Sequence, residues 1–129
     1  MKKIINEIVV VEGREDTRNL LKYFQVTTIE THGYGISEET WEKLDRAYKE
    51  PGLIIFTDPD HQGRLIRERL IKRYPEAKMA FVCKEEALAK GKAGVEHCSF
   101  ETLQRALDCA KAIFNDREES VFTYEDLRK

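Results

Sequence analysis

Carboxylates follow directly after two apolar segments of this 129-residue chain. Glu12 ends the segment EIVVVE (7–12), and Asp58 and Asp60 follow the segment LIIF (53–56) within the sequence TDPD. If the two segments are neighbouring strands, the three carboxylates lie within ~5–6 Å, and each pair repels by roughly 3 kcal/mol at an effective dielectric of about 20. Such a cluster is relieved in one of two ways: it takes up protons or it binds a cation.

Magnesium is the cation that this donor set suits best, because it prefers hard oxygen ligands and usually binds one or two carboxylates while keeping several waters. Bound there, it can neutralise charge on a phosphodiester, lower the pKa of a bound water and orient an in-line attack. Gly13 and Gly63, beside the acidic segments, are expected to let a phosphate approach the backbone. The plain alternative is that Asp and Pro in DPD only form a turn. Two acidic clusters, each directly after an apolar strand, favour a metal site.

The elements that must position these residues alternate between strands and helices. Runs of β-branched residues without polar alternation are typical of strands covered on both faces. The predicted strands are 7–12, 27–31, 53–58 and 78–83, and the predicted helices are 14–24, 37–50 (capped by Ser37), 64–74, a short one within 84–94, and a long closing helix at 99–114 (capped by Ser99). This order predicts an α/β fold with a mostly parallel four-stranded sheet and helices on both faces. Ligands of such sheets bind outside the carboxyl ends of the strands, where the carboxylates are expected.

Charge is unevenly distributed along the chain, although the formal net charge is only −2. Residues 61–92 carry nine basic and four acidic side chains, whereas the segments on either side are acidic. This pattern fits a phosphate-binding face and fits a merely solvated helix surface equally well. The candidate residues for contact with a nucleic-acid backbone are Arg14 and His61 beside the acidic segments, then Arg64, Arg67 and Lys72 along the third helix, and Lys84, Lys90 and Lys92 beyond it. His61 has a second interpretation, that of capping the next helix. Tyr34, in the glycine loop HGYG, either stacks on a base or packs locally.

Other classes of protein are disfavoured by what the sequence lacks. No apolar run approaches the ~20 residues that cross a bilayer, and no signal-peptide pattern opens the chain, so we expect a cytoplasmic protein. The three cysteines show no CxxC or CxxH spacing and are expected to be buried free thiols rather than disulfide or zinc ligands.

Two longer motifs resemble a known family. VVVEGREDT and IIFTDPDHQGRLIR resemble the Toprim domain, a magnesium-dependent module of topoisomerases, primases and some nucleases. The segments TIETHG (28–33), KAGVEH (92–97) and FTYEDL (122–127) resemble more finely the Toprim ribonucleases of the M-five type, which mature 5S ribosomal RNA. The resemblance implies a Toprim, Rossmann-like fold and a magnesium-dependent endoribonuclease that cuts double-stranded stems of precursor 5S rRNA. It also implies a partner, the large-subunit ribosomal protein that binds 5S rRNA.

The resemblance further implies roles for individual residues. Glu12 would be a general base or metal ligand, and Asp58 and Asp60 would be ligands of one or two magnesium ions, for which manganese would substitute. Asp16 matches a second acid of the family's first motif and acts either around the metal or as a first-turn acid that complements the helix dipole. Glu96 is either a contributor to the metal site or a surface charge.

Departures from the family pattern keep alternatives open. The stretch HQGR lacks the further acid of topoisomerases, which argues against strand transfer. Residues 1–114 are expected to form the catalytic domain of a monomer, with 115–129 as a charged linker toward a C-terminal domain missing from the chain. One alternative is a Toprim module that binds nucleic acid or nucleotide without cleavage. Another is a receiver-like phosphoacceptor domain, which would need an acidic pair after the first strand and a lysine after a fifth.

Overall fold

Strands and helices alternate along the chain in the computed structural model, which describes residues 2–82 and 95–112. The strands are β1 (Lys3–Ile4), β2 (Ile8–Val11), β3 (Phe24–Gln25), β4 (Thr28–Glu30), β5 (Leu53–Ile55), β6 (Lys78–Met79) and β7 (Lys111–Ala112). The helices are α1 (Arg14–Tyr23), α2 (Glu38–Lys49), α3 (His61–Arg73) and α4 (Phe100–Asp108), with a short 3-10 helix at Val95–His97.

The main sheet has the strand order β4-β2-β5-β6-β7. Its first four strands are parallel, and β7 pairs antiparallel with β6. Because β2 and β5 are direct neighbours, with Val10 opposite Ile55, their carboxyl ends open at the same edge of the sheet. The prediction of an α/β fold with four mostly parallel strands is therefore confirmed.

Two hydrophobic layers cover the two faces of this sheet, as the apolar strand sequences predict. Val9, Val11 and Phe56 point to one face and pack with residues of α1 and α4. Val10 and Ile55 point to the other face and pack with residues of α2 and α3. Burial on both faces fixes the strand register, since a slip of one residue would exchange the two sets of side chains. The fixed register in turn fixes which residues emerge at the carboxyl edge.

The helices begin at capping residues that the sequence displays. The Ser37 hydroxyl accepts a hydrogen bond from the Thr40 backbone at 3.2 Å, and Ser99 accepts one from Thr102 at 3.3 Å. Both predicted caps are confirmed, and each satisfies one backbone N–H of a first helical turn. The cap of α3 is Asp60, so this helix begins three residues earlier than predicted.

The prediction for the closing segment was wrong. The helix expected at 99–114 ends at Asp108, and the chain then enters β7, where Lys111 lies opposite Met79. The apolar periodicity continues past Asp108 without Gly or Pro, so no local signal marks the end. Pairing with β6 satisfies backbone groups that would otherwise remain open at a sheet edge, and this tertiary gain outweighs helix propensity. The two-stranded parallel sheet of β1 and β3 was not predicted either, since each strand has only two residues.

Several sequence expectations lie outside the described residues: the helix within 84–94, the linker at 115–129, Cys83, and the basic residues Lys84, Lys90 and Lys92. Cys98 is buried as expected, whereas Cys109, the residue that follows α4, is exposed. Among residues 2–82 and 95–112, the helices are too short or too polar to span a membrane.

Candidate metal and catalytic site

Glu12 and Asp58 meet at the carboxyl edge of the sheet. Glu12 directly follows β2, and Asp58 lies three residues beyond the end of β5. The backbone N–H of Asp58 donates a hydrogen bond to Glu12 Oε2 at 2.7 Å. The loop after one strand thus holds the carboxylate that follows its neighbour, and the two acidic segments form one site.

The carboxylates after β5 are also oriented by backbone N–H groups. Asp58 Oδ1 accepts a hydrogen bond from Val95 N at 2.8 Å, and Asp60 Oδ1 accepts one from Gly63 N at 2.7 Å. Asp60 is exposed at the N-terminus of α3, whereas Asp58 is half-buried. Glu12, Asp58 and Asp60 are each held by one backbone amide, so their positions follow from the fold rather than from flexible rotamers.

The carboxylates of this site repel one another. Burial, followed by the negative charges of Asp58 and Asp60, raises the pKa of Glu12 from its ordinary value of 4.5 to about 7. Each of these causes favours the protonated form. A cation placed among the carboxylates would replace the proton and restore the ionised form.

Asp16 extends the cluster behind Glu12. Its side chain is only 6% exposed, and its Oδ2 accepts a hydrogen bond from Gly13 N at 3.1 Å at the start of α1. Burial, followed by the charges of Asp58 and Glu96, raises the pKa of Asp16 to about 6. Asp16 therefore lies in the first turn of α1, as the helix-dipole interpretation requires, and it also lies in the electrostatic field of the candidate site. Glu96 itself is exposed in the 3-10 helix and close enough to act on Asp16.

Gly63 allows α3 to start directly against the DPD turn. A Cβ atom at this position would lie 2.1 Å from the Asp58 carbonyl oxygen, far inside any real contact. The turn is tied further by Thr57, whose hydroxyl donates to Gly63 O at 3.0 Å. Nothing lies within 4 Å of the corresponding Cβ position of Gly13, so space is open there. Close packing of protein on protein thus accounts for Gly63, instead of the phosphate approach proposed for it.

Arg67 is directed at this turn and not at the open surface. Its Nη1 donates to Thr57 Oγ1 at 2.8 Å, and its guanidinium lies 5.3 Å from the centre of the Phe81 ring. Burial lowers the pKa of Arg67, while the charges of nearby acids, Glu12 among them, act in the opposite direction. Arg67 is thus a cation held beside the carboxylate cluster.

Asn19 is a residue that the sequence reasoning missed. It is buried on α1, and its Nδ2 donates to the carbonyl oxygens of Val95 and Cys98, each at 2.9 Å. These bonds hold the 3-10 helix whose first N–H, that of Val95, orients Asp58. The partners are 76 and 79 residues away from Asn19, so no local pattern could have identified it.

The other basic candidates are placed at different distances from the carboxylates. Arg14 and His61 are exposed at the first residues of α1 and α3, beside the cluster. Arg64 is exposed one turn further, with its Nε 3.8 Å from Glu68. Lys72 is exposed in the last turn of α3, ~16 Å along the helix from His61. Arg14, His61 and Arg64 therefore surround the site, and Lys72 does not.

The chemistry of the donors fits magnesium. Within the described ranges, no three His, Cys, Asp or Glu side chains converge as a ready-made metal cage. Magnesium does not need one, because it commonly binds through one or two carboxylates and retains waters. Glu12 accepts a hydrogen bond from the Asp58 backbone, and the charge of Asp60 acts on Glu12, which gives an all-oxygen, negatively charged edge of this kind.

Comparisons with known proteins identify the family and the fold. Residues 7–84 match the Toprim domain family. A solved structure of a small Toprim domain protein from Bacillus stearothermophilus superposes with a TM-score of 0.57 at 22% identity, over 83% of this chain and 84% of the other. At that identity the likeness concerns the fold alone.

Curated relatives give a finer assignment. Ribonuclease M5 of Lactococcus lactis is 49% identical over 108 residues, which are 82% of this chain and 52% of the relative. A ribonuclease M5 of Ligilactobacillus salivarius is 36% identical over 128 residues, 95% of this chain and 68% of the relative. This chain spans from about half to two-thirds of the length of these relatives. The chain belongs to the Toprim family and, within it, to the ribonuclease M5 proteins.

Proposed function

We propose that this chain is a magnesium-dependent endoribonuclease domain that hydrolyses phosphodiester bonds in double-stranded stems of precursor 5S rRNA. The observation that carries the proposal is the carboxylate edge, where burial and the charges of Asp58 and Asp60 raise the pKa of Glu12 to about 7. The similarity to proteins named ribonuclease M5 supports RNA as the substrate. Residues 1–114 would form the catalytic domain.

Asp58 and Asp60 would hold the ion, because both are presented at the rim by backbone hydrogen bonds. When bound, magnesium neutralises charge on the phosphodiester and lowers the pKa of a bound water. Glu12 would accept the proton of the attacking water, because its Oε2 is held at this edge by the Asp58 N–H and the bound cation would keep the carboxylate ionised. Asp16 and Glu96 would add negative charge around the ion and strengthen its retention. One or two ions would be held, with manganese able to replace magnesium.

The RNA backbone would cross this edge over the basic residues around it. Arg14, His61 and Arg64 are exposed beside the carboxylates and could each contact a phosphate. Proteins hold duplex RNA mainly by its shape and by phosphate and 2′-hydroxyl contacts, which such side chains supply. The further partner would be the large-subunit ribosomal protein that binds 5S rRNA, in the cytoplasm.

The receiver-like alternative is not favoured, because the family match is to Toprim over residues 7–84. A Toprim module without cleavage differs from our proposal only in chemistry, so cleavage is the deciding measurement. A labelled duplex stem of precursor 5S rRNA should be cut in magnesium and left intact in EDTA. Glu12→Gln and Asp58→Asn should still bind the stem but leave it uncut. Binding without cleavage by the wild-type chain, in magnesium or manganese, would establish the alternative instead.

A further inference from the structure

An aromatic–arginine strip runs over the surface between α2 and α3, and we name it by its four residues, Tyr34, Trp41, Arg69 and Arg73. The Arg69 guanidinium lies 4.7 Å from the centre of the Tyr34 ring and 5.6 Å from that of Trp41. Arg73 lies 4.7 Å from the centre of the Trp41 ring. The two arginines and two aromatic rings thus alternate in one continuous set of contacts.

The two arginines of the strip differ in how their charges are balanced. Arg73 makes two hydrogen bonds to the Asp45 carboxylate, at 3.1 and 2.9 Å, so its charge is neutralised within the fold. Arg69 donates to the backbone oxygen of Tyr34 at 3.3 Å, and no ion pair joins it to a carboxylate in the part of the chain that is described. A guanidinium has five N–H donors. Arg69 is therefore a cation held in a fixed position, and no carboxylate among the described residues neutralises its charge.

The strip begins at the candidate active edge. Tyr34 belongs to the loop after β4, and within that loop the His32 N–H donates to the backbone oxygen of Glu12 at 2.8 Å. A Cβ on Gly33 would lie 3.9 Å from the side chain of Gln62, the second residue of α3. Arg69 lies seven residues further along α3, ~10 Å by helix geometry. The strip therefore extends from the carboxylates over the length of a few nucleotides.

We propose that the strip is a second RNA contact, in which Arg69 binds a backbone phosphate outside the scissile position and the Tyr34 and Trp41 rings hold its guanidinium in place. Arginine suits this task, because its planar fork binds phosphate with two N–H donors and stacks on aromatic faces. Tyr34 is 50% exposed and Trp41 is half-buried, so the Tyr34 ring borders solvent. The inference rests on the proposed function, since it assumes that RNA lies across the carboxylate edge.

Trp41 provides a direct test, because it is the only tryptophan of the chain. A duplex stem of precursor 5S rRNA, titrated in EDTA so that it stays intact, should change the Trp41 emission in step with binding measured by RNA anisotropy. Arg69→Ala should weaken binding about tenfold and lower the slope of log affinity against log salt by about one. In magnesium it should raise KM by a similar factor and leave kcat within about twofold.

Arg46→Ala is the matched control, because Arg46 is an exposed arginine on α2 that contacts no aromatic ring in the described residues, and its loss changes the net charge equally. It should leave affinity and the salt slope nearly unchanged. Tyr34→Ala gives a second variant should Arg69→Ala lose its fold, and it should weaken binding by a smaller factor. If the wild type binds and cuts RNA while Trp41 stays silent and Arg69→Ala equals Arg46→Ala, the strip is not an RNA contact and the proposed function stands. If the wild type binds no RNA at all, the proposed function itself fails.

Discussion

Glu7 and Glu12 lie at opposite ends of the same strand, and their surroundings are opposite. Glu7 precedes β2, and its Oε2 accepts a hydrogen bond from Lys78 Nζ at 2.6 Å, which lowers the pKa of Glu7. Glu12 follows β2 and meets Asp58 and Asp60, which together with burial raise its pKa to about 7. One residue type on one strand is thus stabilised as an anion at one end and as an acid at the other.

We infer from this difference that the amino edge of the sheet is structural and that the carboxyl edge carries the proposed site. At the amino edge, the fold itself supplies the cation for Glu7. At the carboxyl edge, the nearby cation Arg67 is turned toward Thr57 and the Asp58 carbonyl oxygen. Clustered carboxylates that remain unneutralised make the folded state less stable, and strongly shifted pKa values of this kind concentrate at functional sites. Matched substitutions at the two edges test whether the edges differ in function.

The largest expected difference is in catalysis. Glu12→Gln keeps an oxygen that can accept the Asp58 N–H but removes the charge and the basic group, so kcat should fall by about 10²–10⁴-fold. Glu7→Gln makes the same chemical change at the other edge and should leave kcat within about twofold. Single-turnover cleavage of a duplex precursor stem in magnesium measures both. Equal losses in the two variants would mean that the edges do not differ in function.

Much of this comparison was predictable from the sequence. Near-continuous apolar strands predict a parallel sheet covered on both faces, and the carboxyl ends of its neighbouring strands must open at one edge. The meeting of Glu12 with Asp58 follows from those two rules once β2 and β5 are neighbours, which the sequence left as a condition and the structure shows. The ion pair of Glu7 with Lys78 was not predicted, because it needs the position of β6 two strands away from β2. Opposite charges 71 residues apart carry no local signal.

The remaining surprises have the same physical origin. Asn19 orders the 3-10 helix behind Asp58, and Arg69 stacks on Tyr34, through contacts made only when distant elements pack together. The end of α4 at Asp108 is decided by strand pairing with β6 and not by a helix-stop residue. Local propensity and periodicity report on each element, whereas these features belong to pairs of elements. Such contacts between distant elements can be predicted only after the strand order is known.

Two glycines allow the same comparison for backbone packing. Gly63→Ala at the carboxyl edge places a Cβ 2.1 Å from the Asp58 oxygen, so α3 must move, and we expect a loss of about 3 kcal/mol in unfolding free energy. Gly52→Ala at the amino edge meets Glu7 at an ordinary 3.7 Å and suffers only from its φ of +107°, which should cost about 1–2 kcal/mol. Urea denaturation gives both values. The reverse ranking would show that the DPD turn yields easily and does not hold the site rigidly.

The pH dependence of stability should also differ between the edges. Because the folded protein raises the pKa of Glu12 from 4.5 to about 7, it binds a proton that the unfolded chain has already released in this interval. Stability of the metal-free protein should therefore fall as the pH rises across this interval. Glu7, whose pKa is lowered, contributes stability that is present above pH 4.5 and is lost only below it.

Thermal melting in EDTA from about pH 5 to about pH 8 tests this assignment. The Tm of Glu12→Gln should vary less with pH than that of the wild type, retaining the smaller slope due to Asp16, whose pKa is raised to about 6. Glu7→Gln should keep the wild-type slope over the same interval. Magnesium should raise the Tm of the wild type most at the alkaline end, by an amount that grows with concentration as expected for a ligand of the folded state. If magnesium raised the Tm of the Glu12→Gln variant and of the Asp58→Asn variant as much as that of the wild type, the ion would bind elsewhere.

The smallest expected effect is in the coupling free energies of two side-chain pairs, obtained from the unfolding free energies of single and double variants. A double-mutant cycle of Glu7→Gln with Lys78→Met should give a favourable coupling of about 0.5 kcal/mol, because the two side chains are partly exposed and the pair is screened. This coupling should shrink further in strong salt.

The cycle of Glu12→Gln with Asp58→Asn, at a pH above the Glu12 pKa and without metal, should give a coupling of the opposite sign, since either change alone already relieves the repulsion. Added magnesium should reverse that second sign, because the two carboxylates then act together on one ion, whereas the coupling of Glu7 with Lys78 should not respond. If the coupling of Glu12 with Asp58 stayed unfavourable in magnesium, the two carboxylates would not bind one ion together. The carboxyl edge would then differ from the amino edge in charge alone.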